Sequence, residues 1–93
     1  MASSSYNTVT VADSATLIVA ANAERKEVSI SNTNNATVYI GQDSSVTTSN
    51  GFPLYGFQTR DSYKGFTGNW LGDIYGIVAS GTNDVRYWET SGR

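Results

Sequence analysis

The stretch EVSISNTNNATVYIG, residues 27–41, indicates the fold class of this chain. Apolar residues occupy every second position on both sides of an Asn-rich segment. A period of two residues is typical of strands that bury one face, and Asn tolerates the backbone conformations of tight turns. The pattern predicts two strands, residues 27–32 and 37–41, paired as an antiparallel hairpin.

Short apolar runs of the same kind recur at residues 8–11, 17–19, 74–79 and 85–88. No segment keeps a 3.6-residue period over several turns, and Pro53, the single proline, marks an edge strand or a connection. About seven short antiparallel strands separated by turn signals predict an all-β fold. We expect one small β-sandwich, either jelly-roll-like or immunoglobulin-like.

A length of 93 residues indicates one domain. We expect residues 1–93 to form it, with a short polar N-terminal arm (1–6) and an aromatic-rich insert (52–71). Only 15% of the residues are charged, against about 25% in an average soluble domain. The surface is therefore rich in Ser, Thr and Asn, and the net charge of −2 gives no general attraction to nucleic acid.

The composition restricts the chemistry that the chain can perform. It contains no His and no Cys, which excludes a Ser-His-Asp triad, a cysteine nucleophile and histidine-ligated metal. Four acids, Asp43, Asp61, Asp73 and Glu89, could supply a glycosidase-type carboxylate pair. Since Asp favours turns and caps, we interpret them as structural. No segment has the spacing of a calcium loop, and we predict no enzyme activity, cofactor or metal.

The aromatic residues point instead to a contact role. Eleven aromatic side chains are too many for the core of so small a domain. Exposed Tyr and Trp on a charge-poor surface are typical of protein interfaces, and such rings also suit sugar binding. The candidate interface residues are Tyr6, Tyr39, Phe52, Leu54, Tyr55, Phe57, Tyr63, Phe66 and Trp70.

Residues 57–66 interleave aromatic and basic side chains, a pattern that single-strand nucleic-acid binders use. The segment has only two cations, and Asp61 lies next to Arg60. We therefore predict no nucleic-acid partner, and an affinity that falls steeply with salt would identify one.

Two stretches carry a resemblance to a known group of proteins. The first runs from "ISNT" (30–33) through "VYIG" (38–41) to "VTTSNGFPL" (46–54), and the second is "GDIYGIVASGTNDVR" (72–86). Together they resemble short β-sandwich proteins encoded among the virion genes of tailed bacteriophages. The similarity covers about residues 24–89 except 55–71, where this chain has its aromatic insert.

The resemblance implies a capsid decoration or cement protein that binds the major capsid protein and stabilises the head. It also implies a homo-oligomer, with a trimer as the expected state. The N-terminus shows no secretion signal and no apolar run approaches the ~18 residues of a membrane span. We expect synthesis in the host cytoplasm, no membrane partner and a final location on the capsid surface. The alternative is a carbohydrate- or receptor-binding module of a phage tail or fibre.

Overall fold

A computed structural model describes residues 2–61 and 70–92 of the chain. These residues contain no helix, and no segment among them could cross a bilayer as one. They form eight strands, which in chain order are β1 (Ala2–Ala12), β2 (Thr16–Val19), β3 (Arg25–Asn32), β4 (Val38–Gly41), β5 (Phe52–Leu54), β6 (Thr59–Asp61), β7 (Ile74–Ile77) and β8 (Thr82–Gly92).

The strands form two four-stranded antiparallel sheets. Sheet I has the order β1-β8-β3-β6, and sheet II has the order β2-β7-β4-β5. The first strand thus pairs with the last, the second with the seventh, the third with the sixth and the fourth with the fifth. Eight strands nested in this way in two packed sheets form a jelly roll. The predicted small β-sandwich is confirmed, with the first of the two expected topologies.

The core lies between the two sheets and is built from β-branched and aliphatic side chains. Sheet I contributes the inward-pointing side chains of β1, β3 and β8, and sheet II contributes the inward-pointing side chains of its four strands. Burial of these rows is the main source of stability for a domain of this size. The buried hydrophobic cluster consists of Val11, Ile18, Val19, Val28, Ile30, Val38, Ile40, Leu54, Ile74, Val78 and Val85.

The predicted hairpin of residues 27–32 and 37–41 is wrong. The two strands exist, but β3 belongs to sheet I and β4 to sheet II, so the Asn-rich segment crosses between the sheets. Buried Asn32 holds this crossing, because its amide donates to the carbonyls of Ala36 (2.6 Å) and Leu54 (3.1 Å). The Asn83 side-chain amide donates to Oδ1 of the Asn32 side chain at 3.0 Å. The alternation of apolar and polar residues shows that each strand buries one face. The same alternation is expected whether two strands lie in one sheet or in two opposite sheets, so it does not reveal the pairing.

The predicted N-terminal arm is also wrong within the described residues. Residues 2–6 are the first part of β1 and pair with residues 88–92 of β8 in one unbroken register. The Ser-rich composition suggested an unpaired segment, but backbone pairing does not require apolar side chains. At the other end of β8, a bend at residues 79–81 leads into the strand, and Gly81 adopts a φ of 69°, which glycine permits without strain.

Candidate interaction surfaces

The outer face of sheet II is apolar and free of charge. Its four strands contain no Asp, Glu, Lys or Arg. Tyr39 lies in the middle of this face, in register with Pro53 on one side and Ile77 on the other. Leu17 pairs with Tyr75 in the neighbouring row, and Leu17 is 42% exposed. We call these five outward residues the sheet II face.

A tight turn after β5 adds two exposed rings beside this face. Tyr55 and Phe57 are both exposed, Phe57 to 72%. The Gln58 N–H donates to the Tyr55 carbonyl at 3.1 Å, and the Gln58 side chain accepts from the Tyr55 N–H at 2.9 Å. The Phe57 N–H donates to the Asn34 carbonyl at 3.1 Å. The turn is therefore fixed by its own residues and by the crossing segment.

Phe57 has a left-handed backbone conformation, with a φ of 59°. For a bulky L-residue this region costs about 1–2 kcal/mol, and glycine or Asn normally occupies it. The ring gains little burial in return, since it is mostly exposed. Strain of this kind is often retained at sites that contact a partner, which makes Phe57 the most informative of the predicted interface residues.

The outer face of sheet I is polar and contains one aromatic pair. Tyr6 of β1 lies opposite Trp88 of β8, with ring centroids 6.0 Å apart and a tilt of 45°. Tyr6 is 77% and Trp88 59% exposed. An open groove of about 450 Å³ beside the rings is lined also by Thr8, Ser31 and Arg86. This face can stack a flat ligand on the rings and donate hydrogen bonds to it.

Two predicted interface residues pack at the core. Leu54 is 1% exposed and lies in the core, because alternation around Pro53 turns it inward. Trp70 packs against the core. Its indole N–H donates to the Asp73 carbonyl at 2.7 Å, and its own carbonyl accepts from Arg25 at 2.9 Å. Leu54 is therefore too buried to contact a partner, whereas Trp70 has a structural role and remains partly exposed.

The remaining candidates divide by position. Tyr6 and Phe52 are exposed, and Tyr39 is half-buried on the sheet II face, opposite in direction to Val38. Phe52 lies at the edge of sheet II, next to an open cavity of about 420 Å³ that Trp70 also lines. Tyr63 and Phe66 lie outside the described residues.

Three of the four candidate acids have structural partners. Glu89 is buried and accepts from the Arg25 guanidinium at 2.6 Å, and Asp73 accepts from the Ala21 N–H at 2.7 Å. Asp43 is exposed, and the Ser45 hydroxyl and backbone N–H that donate to its carboxylate lower its pKa. The side chain of Asp61 lies outside the described ones. These three carboxylates hold loops and strands in place.

The Arg25 side chain is the centre of this buried polar group. Besides the ion pair with Glu89, its guanidinium donates to the carbonyls of Ala20 (2.9 Å), Trp70 (2.9 Å) and Gly72 (3.2 Å). The Arg25 guanidinium thus connects sheet I to the loop that follows β2 and to the segment that precedes β7. Buried charges are tolerated only when paired and hydrogen-bonded in this way.

Sequence reasoning did not select Leu17, Tyr75, Ile77 and Trp88 as contact residues. For three of them a signal was present. Ile77 and Tyr75 alternate with inward Ile74, Gly76 and Val78. Val85 is buried, and a residue at an odd distance from it, such as Trp88, must point to the other face. For Leu17, within the run of residues 17–19, alternation alone could not show the direction.

Comparison with known proteins gives no match. No protein-family model, no curated protein and no solved structure matches this chain.

Proposed function

We propose that this chain is a non-catalytic structural protein of a phage virion that docks onto the major capsid protein through the sheet II face. The observation that carries the proposal is the absence of charge from all four strands of sheet II. The centres of protein interfaces are depleted in charged residues and enriched in aromatic ones. A face with Tyr39 and Tyr75 among aliphatic neighbours has that composition.

The exposed turn after β5 supports the same docking direction. Tyr55 and Phe57 extend the apolar surface beyond the edge strand, and Phe57 keeps a strained backbone. A rigid aromatic side chain held away from the domain can fill a pocket on a partner, as the anchors of many interfaces do. This turn lies in the insert at which the chain departs from the virion proteins that it resembles.

The choice of a capsid as the partner rests on the resemblance in residues 24–54 and 72–89. The jelly-roll topology is compatible with it, because this architecture occurs in viral capsid and lectin domains; a fold alone does not assign a function. On a head, the many copies of one weak contact would act together, as in any multivalent assembly. We therefore place the chain on the capsid surface, where it would stabilise contacts between capsid subunits.

The test uses heads assembled by the phage that encodes the chain, from a mutant in which its gene is interrupted. Purified chain is added back, and bound chain is measured by co-sedimentation and mass spectrometry. We expect saturable binding at a fixed ratio to the major capsid protein, and heads that withstand a higher temperature. Absence of the chain from purified wild-type virions, or no binding on add-back, would contradict the proposal.

A second candidate function is carbohydrate binding, which the Tyr6–Trp88 groove of sheet I favours. Rings can stack on the apolar face of a pyranose, and Arg86 with the neighbouring hydroxyl groups could hold its oxygens, as polar groups do in ligand sites. A glycan array probed with the full chain and with Trp88→Ala tests it. Specific binding that Trp88→Ala abolishes would place the chain on a tail or fibre, and no binding to any glycan would remove this candidate.

A further inference from the structure

Strand β1 leaves an open edge on sheet I. It is the outermost strand of that sheet and has 11 residues, about twice the usual strand length. Residues 3–8 are exposed whichever way their side chains point, so sheet II does not cover this part of the strand. A neighbouring strand could therefore approach without contacting the rest of the sandwich.

The backbone groups that face this edge can be identified from three hydrogen bonds. The N–H of Ala12 donates to the Thr16 hydroxyl at 3.1 Å, and its carbonyl accepts from the Val78 N–H at 3.1 Å. The Thr8 N–H donates to the Asn7 side chain at 2.8 Å. Ala12 and Thr8 thus point away from β8. In an antiparallel strand alternate residues point to the same side, so the N–H and C=O groups of all even-numbered residues of β1 face the open edge.

For Ser4, Tyr6 and Thr10, both the N–H and the C=O on this edge are available for a second strand. No group in residues 2–61 and 70–92 hydrogen-bonds them there. Because an unpaired row of donors and acceptors invites another strand, natural sheets protect their edges with charge, proline or bulges. Residues 2–12 contain no charged residue and no proline, and their register with β8 has no bulge.

The other edges of the described sheets each have such protection. Strand β6 carries Arg60 and Asp61, β5 contains Pro53, and β2 has a register irregularity between Leu17 and Val19. The lack of protection at β1 is therefore particular to that strand. It indicates that this edge pairs with another strand.

We propose that the edge of β1 pairs antiparallel with the β1 strand of a second copy of this chain, across a two-fold axis. The neutral strand suits an identical partner, because no like charges meet when it is placed against itself. Each copy offers one such edge, so the contact is self-complementary and closes at a dimer. This goes beyond the proposed docking of the sheet II face, which lies on the other side of the sandwich and stays accessible in the dimer.

The register follows from the groups that are already used. Since Ala12 is engaged with Thr16 and Val78, the part of the edge left for a second strand is residues 2–10, with Tyr6 at its centre. Within it, the Thr8 N–H would exchange its bond to the Asn7 side chain for one to the partner strand. The two-fold axis then passes beside Tyr6, and each Tyr6 lies opposite its copy. The two Tyr6–Trp88 pairs become one row of four rings, which adds cross-strand aromatic contacts to the backbone hydrogen bonds.

The first experiment measures the mass of the full chain by sedimentation equilibrium over a wide concentration range. We expect twice the monomer mass of 10.0 kDa at high concentration. Tyr6→Lys, which sets two cations opposite each other, should weaken dimerisation at least about tenfold. Ser4→Pro should weaken it too, because it removes an outward N–H and leaves pairing with β8 intact. Thr48→Lys, in an exposed loop, is the matched charge control and should dimerise normally.

The second experiment tests the register by cross-linking. The chain has no cysteine, so Tyr6→Cys introduces a single thiol whose copy would lie within disulfide distance. Ser4→Cys is the control. Ser4 is also exposed, but in this register it would lie opposite Thr8 of the second copy, too far from the copy's own Ser4 for a disulfide. We expect a disulfide-linked dimer on mild oxidation of Tyr6→Cys and little from Ser4→Cys.

A wild-type chain that stays monomeric at every concentration overturns the proposal, including the case in which an extended segment of another protein takes the edge. A dimer that both Tyr6→Lys and Ser4→Pro leave unchanged overturns it as well, provided that circular dichroism shows both variants folded. Equal cross-linking of the two cysteine variants contradicts the register.

Discussion

On the outer face of sheet I, Ser, Thr and charged side chains surround one Tyr–Trp pair, whereas the outer face of sheet II has only apolar and aromatic side chains around Tyr39. An antiparallel sheet with one face in water normally alternates between apolar and polar residues. Sheet I follows that rule. Sheet II has the composition of a sheet that is buried on both faces, because its four strands contain no charged residue.

The interior of the two sheets differs in the same sense. The buried ion pair of Arg25 and Glu89 joins two strands of sheet I, and no strand of sheet II contributes a charge. Charge in sheet I thus serves the fold as well as the solvated surface. We therefore expect substitutions in the interior of sheet I to change the free energy of unfolding, and substitutions on the sheet II side to change binding to heads.

The largest expected effect on stability comes from Glu89→Gln in sheet I. Removing one partner of a buried ion pair leaves Arg25 without its counter-charge and should cost about 3 kcal/mol of unfolding free energy. Glu27→Gln, an exposed position on β3, is the control and should change stability by no more than about 0.5 kcal/mol. Urea denaturation measures both. Equal effects would show that the ion pair does not stabilise the fold.

A smaller effect of opposite sign is expected at the turn after β5. Phe57→Gly removes the left-handed strain and should raise the unfolding free energy by about 0.5–1 kcal/mol, while it weakens binding to heads. Phe52→Gly, at an exposed ring in an ordinary strand, should lower it by about 0.5–1 kcal/mol. Thermal denaturation of the two variants gives the signs. A destabilised Phe57→Gly would mean that the ring contributes more to the fold than its exposure indicates.

The smallest effect is expected for the ring pair on the sheet I face. Trp88→Ala removes a cross-strand aromatic contact, which is worth about 0.2–1 kcal/mol, and should leave head binding by the free chain unchanged. Chemical denaturation and add-back to heads measure the two quantities. A large loss of head binding would move the docking surface from sheet II to sheet I.

The fold class could be read from the alternation in residues 27–41, but the pairing of the strands could not. Val28 and Val38 each bury one side chain against the core, whether their strands form a hairpin or lie in opposite sheets. The crossing depends on buried hydrogen bonds of Asn32, and an Asn in a polar turn gives no sign of that in the sequence. Strand β1 is similar, since its Ser-rich start, residues 2–6, becomes a strand only by pairing with residues 88–92 at the other end of the sequence.

Some of the predicted contact residues are exposed in the structure and others are not, and the reason differs from residue to residue. Phe57 and Tyr55 lie in a turn, where large rings have little room to be buried. Leu54 and Trp70 were predicted as contact residues because they lie in the aromatic-rich insert (52–71), where the sequence does not show which side chains point inward. In the structure, the inward phase of β5 places Leu54 in the core, and the bonds to Arg25 and Asp73 fix Trp70. Trp88 could have been assigned by counting from Val85.

The central claim, that the sheet II face docks the chain, is tested most directly by comparing two single glutamates in the add-back assay. Leu17→Glu puts one charge at the most exposed position of the sheet II face. Thr59→Glu puts the same charge on the exposed outer face of sheet I, on the strand farthest from β1. Both should fold with stability within about 1 kcal/mol of the wild type. The account predicts that Leu17→Glu weakens binding to heads at least about 30-fold while Thr59→Glu binds like the wild type; equal binding by the two, or loss with Thr59→Glu alone, would contradict it.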